Sequence, residues 1–126
     1  MVKLSEYAFG IARVVIGFLF ACHGAQKLFG VLGGQRMLGN PLMLAAGILE
    51  FFGGSLIALG LFTRPVAFLL SGEMAVGYFR GHAPHGFFPI VNHGELAVLY
   101  CFIFLYMAAR GAGPLSLDAP VRGKGK

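Results

Sequence analysis

Long apolar runs separated by connectors rich in glycine and proline dominate the pattern along the chain. Four runs are predicted to form helices, with approximate bounds 8–29, 42–63, 65–80 and 94–109. A helix needs about 20 residues to cross roughly 30 Å of hydrocarbon. The first two runs reach that length. The last two, at about 16 residues each, would span with help from flanking loop residues or local thinning of the bilayer.

The connectors support these bounds. Residues 30–41 (GVLGGQRMLGNP) end in an Asn-Pro pair that stops one helix and starts the next. The link Thr63-Arg64-Pro65 is short enough to make the second and third helices antiparallel neighbours. The pattern predicts an all-α, up-down-up-down bundle of four membrane-spanning helices in residues 1–110. A polar, loosely ordered tail is expected in residues 111–126.

Composition excludes an ordinary water-soluble fold. Of 126 residues, 57% are hydrophobic and only 12% are charged, and the mean hydropathy is +0.77. A soluble domain of this size cannot bury so much apolar surface, and a disordered chain needs the opposite composition. The excess apolar surface is therefore expected to face the lipid bilayer. Cys22 and Cys101 stand alone inside apolar runs and form neither a disulfide framework nor a zinc motif.

The net charge of +5 does not indicate nucleic-acid binding, because the basic residues are scattered singly along the chain. Membrane topology is the better explanation of the excess. With four spans both termini share one side, which carries Lys3, Arg64, Arg110, Arg122, Lys124 and Lys126. The other side carries Arg36 and Arg80, with Lys27 at a helix end. Basic residues gather on cytoplasmic loops, so both termini are expected in the cytoplasm.

A cleaved signal peptide is the competing interpretation of the first apolar run. Residues 19–22 (LFAC) have some likeness to a lipoprotein cleavage site. Phe20 is too bulky for its position there, and Arg13 interrupts the apolar region, so a retained helix is favoured.

Ionisable residues inside the predicted spans are the candidate chemistry. Three of the five acidic residues, Glu50, Glu73 and Glu95, lie there, and each such charge costs a few kcal/mol at the bilayer centre. Counting along the helices places His23 and Glu73 roughly 10 Å, and Glu50 roughly 13 Å, from the outer ends. Glu95 lies just below the outer mouth. All four fall in the outer half, where they could line one outward-opening cavity.

The helical faces refine this cluster. Gly47 and Gly54 share a face with Glu50, which directs that carboxyl group into the bundle. Lys27 follows His23 by one turn, whereas Arg13 lies nearer the cytoplasmic side. Three interpretations remain open: structural ion pairs, a small-molecule or redox site, and a proton or ion path. A carboxyl group buried without a counter-charge stays protonated at neutral pH and could donate to a quinone carbonyl.

Three histidines in the third connector, His82, His85 and His93, raise the question of a metal. The connector contains no cysteine and no HExxH pattern, so solvated or interfacial histidines are favoured and no metal site is predicted. Haem held by His23 and His93 is a further, weaker alternative.

Several stretches resemble the DoxX family of small bacterial membrane proteins: residues 13–28 (RVVIGFLFACHGAQKL), 47–67 (GILEFFGGSLIALGLFTRPVA), 94–96 and 111–118 (GAGPLSLD). The likeness covers nearly the whole chain. It implies four-span proteins, some linked to quinone-dependent oxidation of thiosulfate and others to membrane oxidoreductase or thiol-stress complexes. The family-motif positions that it carries onto this sequence are Arg13, His23, Lys27, Glu50 and Arg64, with Glu73 and Glu95 as further candidates.

The sequence therefore leads us to expect a multi-pass subunit of a quinone-linked oxidoreductase system in the bacterial inner membrane. The expected catalytic, proton-moving groups are Glu50, Glu73 and His23. The expected substrate or quinone ligands are Arg13, Lys27, Glu95 and His93. The alternatives are a non-catalytic anchor or assembly partner for a soluble redox enzyme, and a small-solute or proton conductor. A homo-oligomer is also open.

Overall fold

The four long helices of the protein correspond to the four predicted runs, but two of the predicted bounds are wrong. The first helix begins at Leu4 rather than at residue 8. The second ends at Leu59 rather than at residue 63, because Gly60 ends it, so the turn lies at residues 60–62 and the predicted link Thr63-Arg64-Pro65 is the first turn of the third helix.

A computed structural model describes residues 2–34 and 39–119, so Arg36, Arg122, Lys124 and Lys126 of the charge count lie outside the described residues. All regular secondary structure in the described ranges is helical. The helices are α1 (Leu4–Phe29), α2 (Pro41–Leu59), α3 (Thr63–Gly81), the short α4 (Pro89–Asn92) and α5 (Glu95–Arg110). A 3₁₀ turn, Ala83–His85, precedes α4.

Local sequence signals explain where the helices begin and end. The Asn40 side chain caps α2 by accepting hydrogen bonds from the backbone N–H groups of Leu42 (3.0 Å) and Met43 (3.3 Å). Gly30 and Gly60 follow α1 and α2 in the left-handed conformation, with φ of 68° and 69°. Glycine adopts this conformation without a steric penalty, and both helices end there.

Helices α1 and α2 touch backbone to backbone. A Cβ atom on Gly17 would lie 2.6 Å from the carbonyl oxygen of Gly54, and one on Gly24 would lie 2.7 Å from that of Gly47. Later residues of α1 therefore meet earlier residues of α2, and the two helices are antiparallel. Small residues allow this close approach in membrane helices, and a larger residue would separate the pair.

Helices α3 and α5 form a second antiparallel pair. Arg64, at the start of α3, donates to the carbonyl of Ala109 near the end of α5. The Ser71 hydroxyl group donates to the carbonyl of Cys101 at 2.8 Å, farther from both of those ends. Gly53, six residues before the end of α2, lies against Leu70, seven residues after the start of α3, so these two helices are antiparallel as well. The four long helices therefore alternate in direction along the chain.

Aromatic side chains join the two helix pairs. The ring of Phe20 on α1 lies 4.9 Å from the rings of both Tyr100 and Phe104 on α5. The buried core cluster consists of Phe20, Ile57, Ala67, Leu70, Tyr100, Phe104 and Met107. This core fills the bundle between its middle and the end that holds the turn at residues 60–62.

The outer surface of the bundle is apolar, as expected for contact with lipid. Phe79 is 70% exposed, Ile11 67% and Phe102 63%. Among the described residues, α1 and α2 are the two helices long and apolar enough to cross a membrane by length and composition. Only 28% of the most apolar window of each is buried, so neither resembles the core helix of a soluble protein.

Arg13 anchors the end of the bundle that contains the start of α1, the end of α5 and residues 111–119, here called the tail end. Its guanidinium group is buried and donates to the carbonyls of Ile57 (3.0 Å) and Ala58 (3.3 Å), at the end of α2. It also donates to the carbonyls of Ala112 (2.8 Å) and Leu115 (3.0 Å). One side chain thus ties α1, α2 and the tail together.

The expectation of a loosely ordered tail is wrong for residues 111–119. Besides accepting from Arg13, the segment pairs with the end of α2, where the N–H of Leu117 donates to the carbonyl of Leu59 at 3.2 Å. The Asp118 carboxylate accepts from the N–H groups of Phe62 (2.9 Å) and Thr63 (3.0 Å). It therefore caps the start of α3 from a distant part of the chain.

Candidate functional site

A buried ion pair joins α1 and α2 on the side of the core away from the tail end. The Nζ atom of Lys27 lies 2.6 Å from Oε1 of Glu50, and their side chains are 24% and 4% exposed. Gly47, one turn before Glu50, makes room for the lysine, because a Cβ atom there would lie only 3.1 Å from Cβ of Lys27. The sequence predicted both residues as candidates but not that they form a pair.

Glu73 brings a second carboxyl group from α3 to the same place. It interacts with the carboxyl group of Glu50 and lies within range of the charge of Lys27. Its Oε1 atom is buried and has no hydrogen-bond partner among the described residues. Two carboxylates beside one ammonium group would leave a net negative charge shielded from water, which burial disfavours. We call Lys27, Glu50 and Glu73 the carboxyl cluster; charge balance favours a proton on Glu73, because Glu50 already has the ammonium group of Lys27 as its counter-charge.

A cavity of about 550 Å³ opens beside the carboxyl cluster between α2 and α3, and we call it the lateral cavity. Apart from the cluster, most of its lining is apolar: Leu42, Met43, Ala45, Ala46 and Leu49 from α2, and Met74, Val76 and Gly77 from α3. Leu42, Leu49 and Val76 are also exposed on the outer surface. The lateral cavity therefore opens sideways, within the apolar surface of the bundle.

A second cavity of about 220 Å³ is also lined by the Lys27–Glu50 pair. Its other polar lining residues are His23, His82, His93 and Tyr100, and we call it the imidazole cavity. The ring of His23 lies edge-on to Tyr100, with the centroids 6.1 Å apart. His93 is exposed beside the start of α5, so this cavity faces the loop end of the bundle, where residues 82–94 lie.

Asn92 holds the segment that carries His82 and His93. Its side chain is buried, and Nδ2 donates to the Tyr78 hydroxyl group (2.9 Å) and to the carbonyl of Gly86 (3.0 Å). Its backbone carbonyl lies 3.2 Å from Nδ1 of His82. Sequence reasoning missed Asn92; the available signal was a single amide side chain within the apolar stretch before His93.

The structure brings together five of the seven residues predicted for the site. They are His23, Lys27, Glu50, Glu73 and His93, which line one or both cavities. Arg13 lies instead at the tail end, where backbone carbonyls occupy its guanidinium group. Glu95 is exposed at the start of α5 and lines neither cavity.

Three polar lining residues, His82, Arg80 and Tyr100, were not predicted for the site. His82 lines both cavities, although the sequence favoured a solvated or interfacial role for it. Arg80 lies on the lateral cavity near the end of α3. Over residues 2–34 and 39–119, no three His, Cys, Asp or Glu side chains are arranged to hold a metal ion.

Comparisons with known proteins identify the family of this chain. The family model of DoxX matches residues 8–83, which include the whole carboxyl cluster. The chain is 45% identical over 123 residues to an uncharacterized protein of Haemophilus influenzae, an alignment that covers 92% of each chain. No solved structure matches. On these two similarities, the chain belongs to the DoxX family of membrane proteins.

Proposed function

We propose that this protein is an integral subunit of a quinone-linked oxidoreductase system and that the lateral cavity holds the quinone head group. The observation that carries the proposal is the Oε1 atom of Glu73, buried without a hydrogen-bond partner among the described residues at the wall of a mostly apolar cavity. A lipid-soluble molecule with carbonyl oxygens fits this wall. Its ring and tail match the apolar lining, and its carbonyls accept from Lys27 and from a protonated Glu73.

A quinone, when bound, supplies reversible chemistry of two electrons and two protons. The residues of the chain would orient the head group and move the protons. Glu73 would donate one proton at its carboxyl oxygen and, after it has been reprotonated from solution, the second. Lys27 would donate a hydrogen bond to the other polar end of the ligand. Glu50 holds Lys27 in position through the 2.6 Å contact. A soluble redox partner or its substrate is the source of the electrons.

The proposed topology has four spans. Helices α3 and α5, with 19 and 16 residues, would extend roughly 28 and 24 Å along the membrane normal. They lie antiparallel against each other and expose Phe68, Phe79 and Phe102 on the outside. Lys3, Arg64 and Arg110 at the tail end favour a cytoplasmic location for both termini, with the protein in the inner membrane. A reporter enzyme that works only outside the cytoplasm should be active when inserted at Gly86 and inactive when fused after residue 126.

The arrangement supports binding better than conduction. Phe20, Ile57, Leu70 and Phe104, each at most 1% exposed, fill the bundle between the carboxyl cluster and the tail end. A polar path for a solute or proton from one end to the other would have to pass through this packed apolar layer. Both cavities instead reach the surface on one side of it.

A direct binding measurement tests the proposal. Purified protein in nanodiscs free of quinone is titrated with a short-chain quinone analogue by calorimetry. We expect saturable binding, weakened at least tenfold by Glu73→Met, which keeps the side-chain volume but removes the donor. Glu95→Met is the matched control, since Glu95 lines neither cavity, and it should bind as the unaltered protein does.

Absence of binding to the unaltered protein would refute the quinone site. If Glu73→Met bound the quinone analogue as tightly as the unaltered protein, the carboxyl cluster would not be part of the quinone site. If that variant changed only the stability of the protein, the anchor role would be the better account.

A further inference from the structure

The two cavities meet at one ion pair but open in different directions. Lys27 and Glu50 line both cavities and, with Met74, His82 and Ala97, form the wall that the cavities share. The lateral cavity opens among exposed apolar residues such as Leu49 and Val76. The imidazole cavity opens at the loop end, where His93 is exposed. A lipid-soluble ligand and an aqueous proton would therefore approach the carboxyl cluster from different sides.

The residues that line the two cavities also differ in chemistry: the lateral cavity is mostly apolar, and the imidazole cavity contains three histidines. An imidazole ring can accept a proton at one nitrogen and release one from the other. With a volume of about 220 Å³, the imidazole cavity is less than half the size of the lateral cavity of about 550 Å³. The titratable and charged groups that line the two cavities come from every element around them: His23 and Lys27 on α1, Glu50 on α2, Glu73 and Arg80 on α3, His82 after α3, His93 before α5 and Tyr100 on α5.

We infer that the imidazole cavity is a proton-exchange chamber, through which His93 and His23 exchange protons between the solution at the loop end and the carboxyl cluster. A proton taken up at the exposed His93 replaces one that leaves the cluster, and no electron moves in this step. The inference deepens the proposed function, because it supplies the protons for a ligand in the lateral cavity. Proton exchange through the imidazole cavity does not require a ligand in the lateral cavity.

Infrared spectroscopy without quinone tests this exchange directly. A protonated carboxyl group absorbs above the amide bands, and the band shifts when its proton is replaced by deuterium. The band is assigned to the cluster by its loss in Glu73→Gln, and its shift is timed after H₂O is exchanged for D₂O. His23→Ala and His93→Ala should each slow the shift at least tenfold, and added imidazole should restore the rate in His23→Ala.

Two control variants distinguish a loss of the proton route from a general effect of substitution on the structure. His85 is exposed on the same connector and lines neither cavity, so His85→Ala should exchange at the original rate. Gly77 lines the lateral cavity, and a Cβ atom there meets nothing within 4 Å, so Gly77→Trp fills that cavity without a clash at Cβ. Gly77→Trp should abolish quinone binding yet leave proton exchange unchanged.

The outcomes also separate the two proposals. If the histidine variants exchange at the original rate, if no band depends on Glu73, or if Gly77→Trp alone slows exchange, the proton-exchange chamber is refuted. If quinone does not bind while the histidine variants slow exchange and imidazole restores it, the proposed ligand is wrong and the chamber stands.

Discussion

Lys27 of α1 and Glu50 of α2 are in contact at 2.6 Å where the backbones of the two helices come close together. The contact also forms part of the wall shared by the lateral and imidazole cavities. Its two charges are largely withdrawn from water, so each depends on the other more than in a surface ion pair. The same contact therefore contributes to helix packing and to the chemistry of the site.

Replacing either partner of this ion pair should destabilise the protein, and the loss of Lys27 should cost more than the loss of Glu50. Lys27→Met leaves two buried carboxyl groups without their cation and should lower the free energy of unfolding by about 3 kcal/mol. Glu50→Gln should cost less, because the 24% exposed lysine can turn toward water. The double variant should be more stable than the sum of the single effects predicts, as measured by unfolding in mixed detergent micelles. Strict additivity would mean that the two groups do not interact.

The packing of α1 on α2 should tolerate no side chain at Gly24. A Cβ atom there would approach the carbonyl of Gly47 to 2.7 Å, and Gly24→Ala should cost about 2 kcal/mol or more. Gly72 is exposed within α3, and a Cβ atom there meets nothing within 4 Å. Gly72→Ala is therefore the matched control and should stabilise the protein by up to about 1 kcal/mol through helix propensity. Similar thermal midpoints for the two variants would contradict the backbone contact.

The cap that Asp118 provides should contribute measurably to stability. Asp118→Ala leaves the N–H groups of Phe62 and Thr63 without their carboxylate acceptor and should cost about 1 kcal/mol. Asp118→Asn keeps one acceptor oxygen and should cost less. Proteolysis of the folded protein supplies a second measurement, because cleavage within residues 111–119 should be faster in Asp118→Ala. Unchanged cleavage would show that other contacts suffice to hold the tail.

Filling the lateral cavity should block ligand binding without unfolding the bundle. Gly77→Trp places a large side chain in the space between α2 and α3 and should weaken binding of the quinone analogue at least a hundredfold. Gly72→Trp lies on the same helix outside the cavity lining and should bind normally. Matching thermal midpoints for the two variants would establish that the loss is steric. Normal binding of the quinone analogue to Gly77→Trp would show that it binds outside the lateral cavity.

Much of the fold could be predicted from the sequence because its helix boundaries have strong local signals. Asn40 and Pro41 start α2, Gly30 ends α1, and both features are visible without a structure. The grouping of His23, Glu50 and Glu73 also followed from simple depth counting, since antiparallel helices place equal depths side by side. The structure brings these three to the two cavities around the shared ion pair.

The remaining features depend on contacts that have no sequence pattern. Arg13 binds backbone carbonyls, which every residue possesses, so its partners at the tail end could not be identified in advance. Glu95 seemed close to the site by depth alone. Its direction around α5 leaves it exposed, and depth counting does not report that angle. Asn92 organises its segment through non-local bonds to Tyr78 and Gly86.

The bonds of Arg13 also bear on how the newly made chain matures. Two of its acceptors, Ala112 and Leu115, lie 99 and 102 positions later in the chain. At ordinary rates of translation, the arginine is synthesised roughly 5 to 20 s before those carbonyls exist. At the start of that interval the charged group has none of its four final partners, because Ile57 and Ala58 follow it by 44 and 45 positions. Once they are made, half of the partners are still missing. The synthesis of residues 112–115, rather than the insertion of the first helix, therefore sets the earliest moment at which all four bonds of Arg13 can form.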